Sequence, residues 1–192
     1  SHEVDPYRGL PPHFEITSAR ARVLHSLVTD RVRIIVASAS ALVMRVSSPE
    51  QITAGSADLT LGHDITPTAL GDVLQVAGFV REDPVDKHGE CCIRGGVVDF
   101  FPANESKPVR IEFIGDMVES IRRFDPATQR STGPEDHVEV VPLQDRLVAG
   151  VNDHSLNESA SVLDYLNIRS SSVFLSEQDE IMAQLNQTFD QI

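Results

Sequence analysis

The sequence predicts two intertwined units, a discontinuous α/β lobe and an inserted α+β domain with an antiparallel sheet. Three observations predict it. A β-branched run, Arg33-Ile34-Ile35-Val36-Ala37, leads into a helical pattern from Ser38 to Val46, the strand-then-helix order of a parallel α/β unit. Residues 89–124 then bring strand-like runs separated by glycine, proline and asparagine turns, as antiparallel hairpins require. Strand–helix alternation returns after residue 143. The expected bounds are 1–51 and 144–192 for the two parts of the lobe and 52–143 for the inserted domain. Because the ends of a domain often lie close together, residues 144–192 are expected to pack on residues 14–46.

Taken in order, Asp5 to Pro12 is too rich in proline and glycine for regular structure and reads as a linker. From Ile16, the positions Ile16, Ala19, Val23, Leu24 and Leu27 recur at helical spacing, with Thr17 or Ser18 as cap. The run 33–37 has the character of a strand buried on both faces, and Ser47-Ser48-Pro49 breaks the pattern and marks the exit from the lobe. A strand is expected near Asp58 to Leu61. A helix from Pro67 to Ala77 follows, with Thr66 as cap, Pro67 at its first position and Gly78 as its stop. Strands are expected at Cys91–Arg94, Val97–Phe101, Val109–Ile114, Met117–Phe124 and Val138–Val141. A helix at Leu156–Leu166, a strand at Ser172–Leu175 and a helix at Glu177–Phe189, with Ile181, Leu185 and Phe189 on one stripe, complete the reading.

With 192 residues, 41% of them hydrophobic and 23% charged, the chain is long enough to bury a core. No run approaches the roughly 18 apolar residues of a membrane helix, so no membrane contact and a cytoplasmic location are expected. Residues 1–51 carry six bases and five acids, 52–143 eight and sixteen, 144–192 two and eight, giving the overall charge of −13. Such a balance disfavours phosphate-backbone binding, and the lack of tryptophan disfavours a base-stacking platform. Cys91 and Cys92 are adjacent in a strand-like run, where side chains point to opposite faces, so no mutual disulfide is expected.

The chemistry of catalysis is missing from the pattern. There is no glycine-rich loop ending in Gly-Lys-Ser/Thr, and Gly95-Gly96 between two strands reads as a tight turn or bulge. The seven histidines lack metal-ligand spacing, and the carboxylate pairs Asp83/Asp86 and Glu135/Asp136 sit in turns without a nearby nucleophile. No catalytic residue, no metal and no cofactor are expected.

The informative stretch runs His88-Gly89-Glu90-Cys91-Cys92-Ile93-Arg94-Gly95-Gly96-Val97-Val98-Asp99-Phe100-Phe101-Pro102. It continues through Pro108-Val109-Arg110-Ile111-Glu112-Phe113-Ile114-Gly115-Asp116 and Glu119-Ser120-Ile121-Arg122-Arg123-Phe124-Asp125-Pro126 to Ser131. It closely resembles the inserted domain shared by the excision-repair helicase subunit UvrB and the bacterial transcription-repair coupling factors (Mfd). The resemblance covers residues 4 to about 145 and is weak beyond. It points to the coupling factors for three reasons. UvrB usually has Arg-Gly-Asp where this chain has Arg94-Gly95-Gly96. It also lacks the Thr128-Gln129-Arg130-Ser131 ending, and it inserts a DNA-gripping hairpin ahead of the helix that aligns with Ile16 to Leu27. The resemblance implies a partial helicase-like α/β lobe interrupted by a UvrB domain-2-like α+β domain. It further implies a non-catalytic module that recruits UvrA. RNA polymerase, duplex DNA and ATP would be handled by other regions of a parent protein that displaces stalled polymerase as an ATP-driven DNA translocase. Two alternatives stay open: a fragment of UvrB itself, and a nucleic-acid-binding module.

Period-two alternation on 109–114 places Val109, Ile111 and Phe113 on a core face and Arg110, Glu112 and Ile114 outward. A mixed apolar and charged patch of this kind suits a protein contact. The resemblance carries the UvrA contact onto Arg94, Arg110 and Ile114, the last often phenylalanine in the family. The structural alternative pairs both arginines with Glu112 or Glu119 across the sheet. Both arginines are expected at the surface, so truncating either should change folding by only about 0.5 kcal/mol.

Overall fold

Glycine turns set the sheet. Arg94 pairs with Val97 across Gly95-Gly96, where Gly95 has φ +59°, and Ile114 pairs with Met117 across Gly115-Asp116, where Gly115 has φ +61°. Positive φ is open to glycine without a Cβ penalty, so both two-residue reversals fall where the sequence places glycine. The computed structural model describes residues 12–147, 160–167 and 171–189. Its elements in chain order are α1 (Pro12–Val28), α2 (Ala39–Val43), α3 (Pro49–Ala54), β1 (Ala57–Thr60), α4 (Pro67–Val76), β2 (Val80–Arg81), β3 (Glu90–Arg94), β4 (Val97–Phe100), β5 (Val109–Ile114), β6 (Met117–Phe124), β7 (Ser131–Glu135), β8 (His137–Val140), α5 (Val162–Asn167) and α6 (Gln178–Phe189).

Strands β2 to β7 form one six-stranded sheet in sequential order, antiparallel throughout except for the short parallel pairing of β2 with β3. The meander expected from residues 89–124 is therefore present, and the chain is an α+β fold there. Strands β1 and β8 make a separate antiparallel ribbon, with Leu59 opposite Val138. One face of the large sheet buries Cys91, Val98, Phe100, Val109, Ile111 and Ile121 against Leu59, Val138 and Val140 of the ribbon and Leu70, Leu74 and Ala77 at helix α4. Each such aliphatic or aromatic side chain contributes roughly 1.5–3 kcal/mol by leaving water. Helix α4 starts as the sequence indicates: Thr66 Oγ1 accepts the Ala69 amide at 2.9 Å, Pro67 follows, and Gly78 at φ +94° ends the turn. Its Gly71 sits where an added Cβ would meet Ile93 of β3, which lets helix and sheet approach closely.

Strands β2 and β7 and helix α3 go beyond the expected elements. Ser48-Pro49, expected as a break, instead starts α3: Ser48 Oγ accepts the Gln51 amide at 3.3 Å while Gln51 Oε1 accepts the Ser48 amide at 2.8 Å. This reciprocal capping box stabilises the first turn, with proline at a position whose amide needs no partner.

The flanking segments depart further. Helix α1 begins before Ile16, and Thr17 and Ser18 lie inside it, bonding back to Phe14 O and Glu15 O at 3.1 Å each. Its buried side is Ser18, Ala21, Leu24 and His25, whereas Ile16 and Val23 face solvent. Residues 33–37 and 172–175 form no strand, and Ile34, Val36, Val173, Phe174 and Leu175 are exposed. No described strand lies alongside either run, so their backbones have no ladder to join. The expected helix from Leu156 is seen from Val162, its first residues lying outside the described ones, as do the expected linker residues 5–11.

A second cluster joins Leu24, Val46, Ile52, Val162 and Tyr165. Val46 and Ala160 exchange backbone hydrogen bonds of 2.8 and 2.9 Å, and the buried Tyr165 hydroxyl donates to Ser47 O at 2.6 Å. The Ser47 amide donates to Asp145 O at 2.9 Å, and Arg20 pairs with the Asp145 carboxylate at 3.0 Å. The chain thus passes from α2 into the domain and back out at adjacent points.

Candidate protein-docking face

The outer face of β3, β4 and β5 is built by cross-strand register. Cys92, Asp99, Arg110 and Arg122 form one row of partners, and Arg94, Val97, Glu112 and Ser120 the next. Partners across a ladder share a face, so these side chains oppose the core side of the same strands. Asp99 stands in the apolar run Val97-Val98-Asp99-Phe100 and has 0% exposed side chain. A carboxylate buried there must be paired and hydrogen-bonded to persist. Two guanidiniums do this. Arg110 Nε donates to Asp99 Oδ1 at 2.7 Å and Arg110 Nη2 to Oδ2 at 2.8 Å, a forked pair, and Arg94 Nη2 donates to the same Oδ2 at 2.5 Å.

The surroundings fix both arginines. The Arg110 guanidinium lies 4.7 Å from the Phe124 ring centre, and its Nη1 reaches Gln129 O at 3.4 Å. Its hydrogen bonds to Asp99 raise its pKa above the ordinary arginine value. Gln129 is itself held at φ +58°, its side-chain nitrogen donating to Val85 O and Pro126 O. Arg94 Nη1 turns outward to Asp83 Oδ1 at 2.8 Å. Pro84, Arg94, Val97, Arg110, Glu112 and Gln129 line an open depression of about 380 Å³ over this pair.

Arg94 and Arg110 therefore meet, through Asp99. Ile114 shares their face and is 62% exposed, but it stands at the far end of β5, four residues or roughly 13 Å along the strand from Arg110. The alternation on β5 holds: Val109 and Ile111 are buried, Phe113 packs on the same core, and the irregular pairing that follows Glu112 leaves Ile114 opposite the exposed Met117. The structural alternative and one expectation are corrected. Neither arginine takes Glu112 or Glu119 as its ion-pair partner, and Glu112 accepts the Ser120 hydroxyl at 2.7 Å. Arg110 is only 19% exposed and forked onto a buried acid, so it is structural as well as surface-facing. Asp99, Asp83 and Gln129 were missed in the sequence; an aspartate inside a run of valine and phenylalanine was the available signal for the first.

Other chemistry is sparse among the described residues. Asp58, His137 and Glu139 of the β1–β8 ribbon bring three possible metal-ligand atoms within 4.8 Å of one another. His137 Nε2 already lies 2.5 Å from Asp58 Oδ1, and Glu139 is ion-paired with Arg31, whose hydrogen bond holds its pKa below the usual carboxylate range. Burial pushes the Cys91 thiol up to about 11 and raises that of Cys92, so neither is poised as a thiolate. No described helix is long and apolar enough to cross a membrane.

The family model described as the UvrB interaction domain matches residues 57–145, which hold the whole of this face. The transcription-repair-coupling factor of Escherichia coli (strain K12) is 29% identical over 143 residues, 74% of this chain and 12% of the relative. That of Bacillus subtilis (strain 168) is 33% identical over 135 residues, 70% of this chain and 11% of the relative. The UvrABC system protein B of Chlorobium limicola is 30% identical over 136 residues, covering 71% of this chain and 20% of that protein. The chain spans about one eighth of the length of the coupling factors it matches.

Proposed function

We propose, from the match of residues 57–145 to the UvrB interaction domain model, that this chain is the UvrA-docking module of a transcription-repair coupling factor, recruiting the excision-repair protein and leaving catalysis to other regions of its parent. The observation that carries the reading is the pair of guanidiniums held on one buried carboxylate at an open depression. An arginine has five N–H donors, and Asp99 engages two of Arg110 and one of Arg94, so pre-oriented donors are left for carboxylates of a partner. Ile114 and Met117, exposed at the tip of the β5–β6 hairpin, supply the apolar part of the contact.

On this reading residues 52–143 are the docking domain, and residues 1–51 and 144–192 together form the lobe that carries it, as the Val46–Ala160 pairing and the Tyr165–Ser47 hydrogen bond favour. The parent would use ATP and duplex DNA to displace stalled RNA polymerase. A fragment of UvrB would present the same face; the Thr128-Gln129-Arg130-Ser131 ending favours the coupling factor.

Surface plasmon resonance against immobilised UvrA tests the proposal. Saturable binding is expected, weakened at least about tenfold by Arg94→Ala or Ile114→Asp in variants that melt as the parent chain does. Absence of saturable binding, or full binding by the Arg94→Ala/Ile114→Asp double variant, defeats it.

A further inference from the structure

We propose that Asp83 is a built-in competitor on this face, a carboxylate that occupies Arg94 in the free chain and is displaced by a carboxylate of the docking partner. The inference rests on the docking reading above and adds how the affinity is set.

The two acids that bind Arg94 differ in kind. Asp99 has no exposed side chain and is shared with Arg110, so it cannot leave without stranding a buried charge. Asp83 is 55% exposed, lies on the segment between β2 and β3, and touches Arg94 at the outer nitrogen, Nη1, where Arg94 itself is 42% exposed. Solvated ion pairs of this type are weak and exchange readily. Asp83 directly precedes Pro84, which lines the depression with both arginines, so its carboxylate sits at the rim of the place a partner carboxylate would enter.

Charge strengthens the case. Three guanidiniums, Arg94, Arg110 and Arg122, share this face with three carboxylates, Asp99, Asp83 and Glu112, so their formal charges cancel within a chain of −13. An acidic partner group is therefore not steered in by a net positive field, and Asp83 contributes a full unit of that cancellation. Glu112 is already engaged by the Ser120 hydroxyl and is not in an ion pair with Arg94, which leaves Asp83 as the group that occupies the outer donor.

The test uses the whole chain carrying Asp83→Asn, with purified UvrA as the probe, by surface plasmon resonance at low and high salt. Asp83→Asn should tighten binding by about two- to fivefold at low salt, mainly through faster association, and the gain should shrink as salt rises. In an Arg94→Ala background the same change should give no gain, because the donor being contested is gone. Unchanged or weaker binding by Asp83→Asn, alongside weakened binding by Arg94→Ala, overturns the competitor and leaves the docking face standing. If Arg94→Ala and Ile114→Asp both bind as the parent chain does, the docking reading fails and the competitor falls with it.

Discussion

Asp99 and Arg110, directly opposite each other on β4 and β5, form a forked ion pair whose acid has no exposed side chain. Breaking a buried pair from one side is costly because the remaining charge stays out of water. Arg110→Ala should therefore lower stability by about 3 kcal/mol, the lower end of the range for such losses, since Arg94 still contacts the acid. The double change Asp99→Leu/Arg110→Met should recover most of that loss. Urea unfolding of the single and double variants measures both, and a full loss retained in the double would mean the damage lies in packing.

Ile114 offers the cleaner probe of docking. It is exposed at a hairpin end, so Ile114→Asp should change unfolding free energy by no more than about 0.5 kcal/mol while reducing UvrA capture at least about tenfold. A large drop in melting temperature would instead place Ile114 in the fold's own packing.

Acid should destabilise the chain well above the carboxylate range. His25 and His88 are both held below the ordinary 6.5 by burial, against a raising effect from Glu139 on the first and from the Glu105 carbonyl on the second. A base with a depressed folded pKa is neutral in both states above 6.5, where its contribution is complete. As the pH falls below 6.5 the unfolded chain takes up protons that the folded chain refuses, and stability drops until the folded pKa is passed. Glu139, depressed by Arg31, loses its contribution only below its unfolded value near 4.5. Melting temperatures should fall between pH 7.5 and 5.5, and His25→Gln/His88→Gln should flatten that slope. An unchanged slope in the double variant would assign it to other groups.

Helix α4 and strand β3 are coupled through a missing methyl. An alanine at Gly71 raises helix propensity by roughly 1 kcal/mol but drives its Cβ into Ile93 Cδ1. Gly71→Ala alone should destabilise by about 1–2 kcal/mol. Ile93→Val removes the colliding atom, so the double variant should be more stable than the sum of the singles by about 1 kcal/mol. Additive urea-unfolding energies would show that Ile93 simply rotates away.

What could be read from the sequence was what local chemistry determines. Thr66-Pro67 and Gly78 bound α4 through their own backbone needs, and Gly95 and Gly115 mark hairpins because their φ values demand glycine. Ser48 and Gln51 carried the capping box in plain sight, hidden by reading Pro49 as a stop when it was a first turn. On helix α1 the expected stripe is right at Leu24 and Leu27, which pack inward, but Ser18, Ala21 and His25, small or polar residues chosen by their neighbours, complete the buried side, while Ile16 and Val23 mimic a core stripe and face solvent. The runs at 33–37 and 172–175 look like strands from composition, but a strand exists only beside another. At the candidate docking face, alternation placed Arg110 and Ile114 outward. Asp99 joining Arg94 to Arg110 depends on the order of three strands, which no single segment encodes.

The adjacency of Ser47 and Asp145 has a kinetic consequence. Bringing Tyr165 to Ser47 closes a chain separation of 118 residues, an entropic cost that grows with the logarithm of loop length. Once the meander has formed from contacts between neighbours in sequence and the β1–β8 ribbon has joined residues 57–60 to 137–140, residues 47 and 145 are held together, and the loop that remains to be closed is short. The meander should therefore act as the nucleus and the flanking helices as a late, separately opening unit. In native-state hydrogen exchange the Val46 and Ala160 amides would then be lost through partial openings that leave those of Val98 and Ile111 protected.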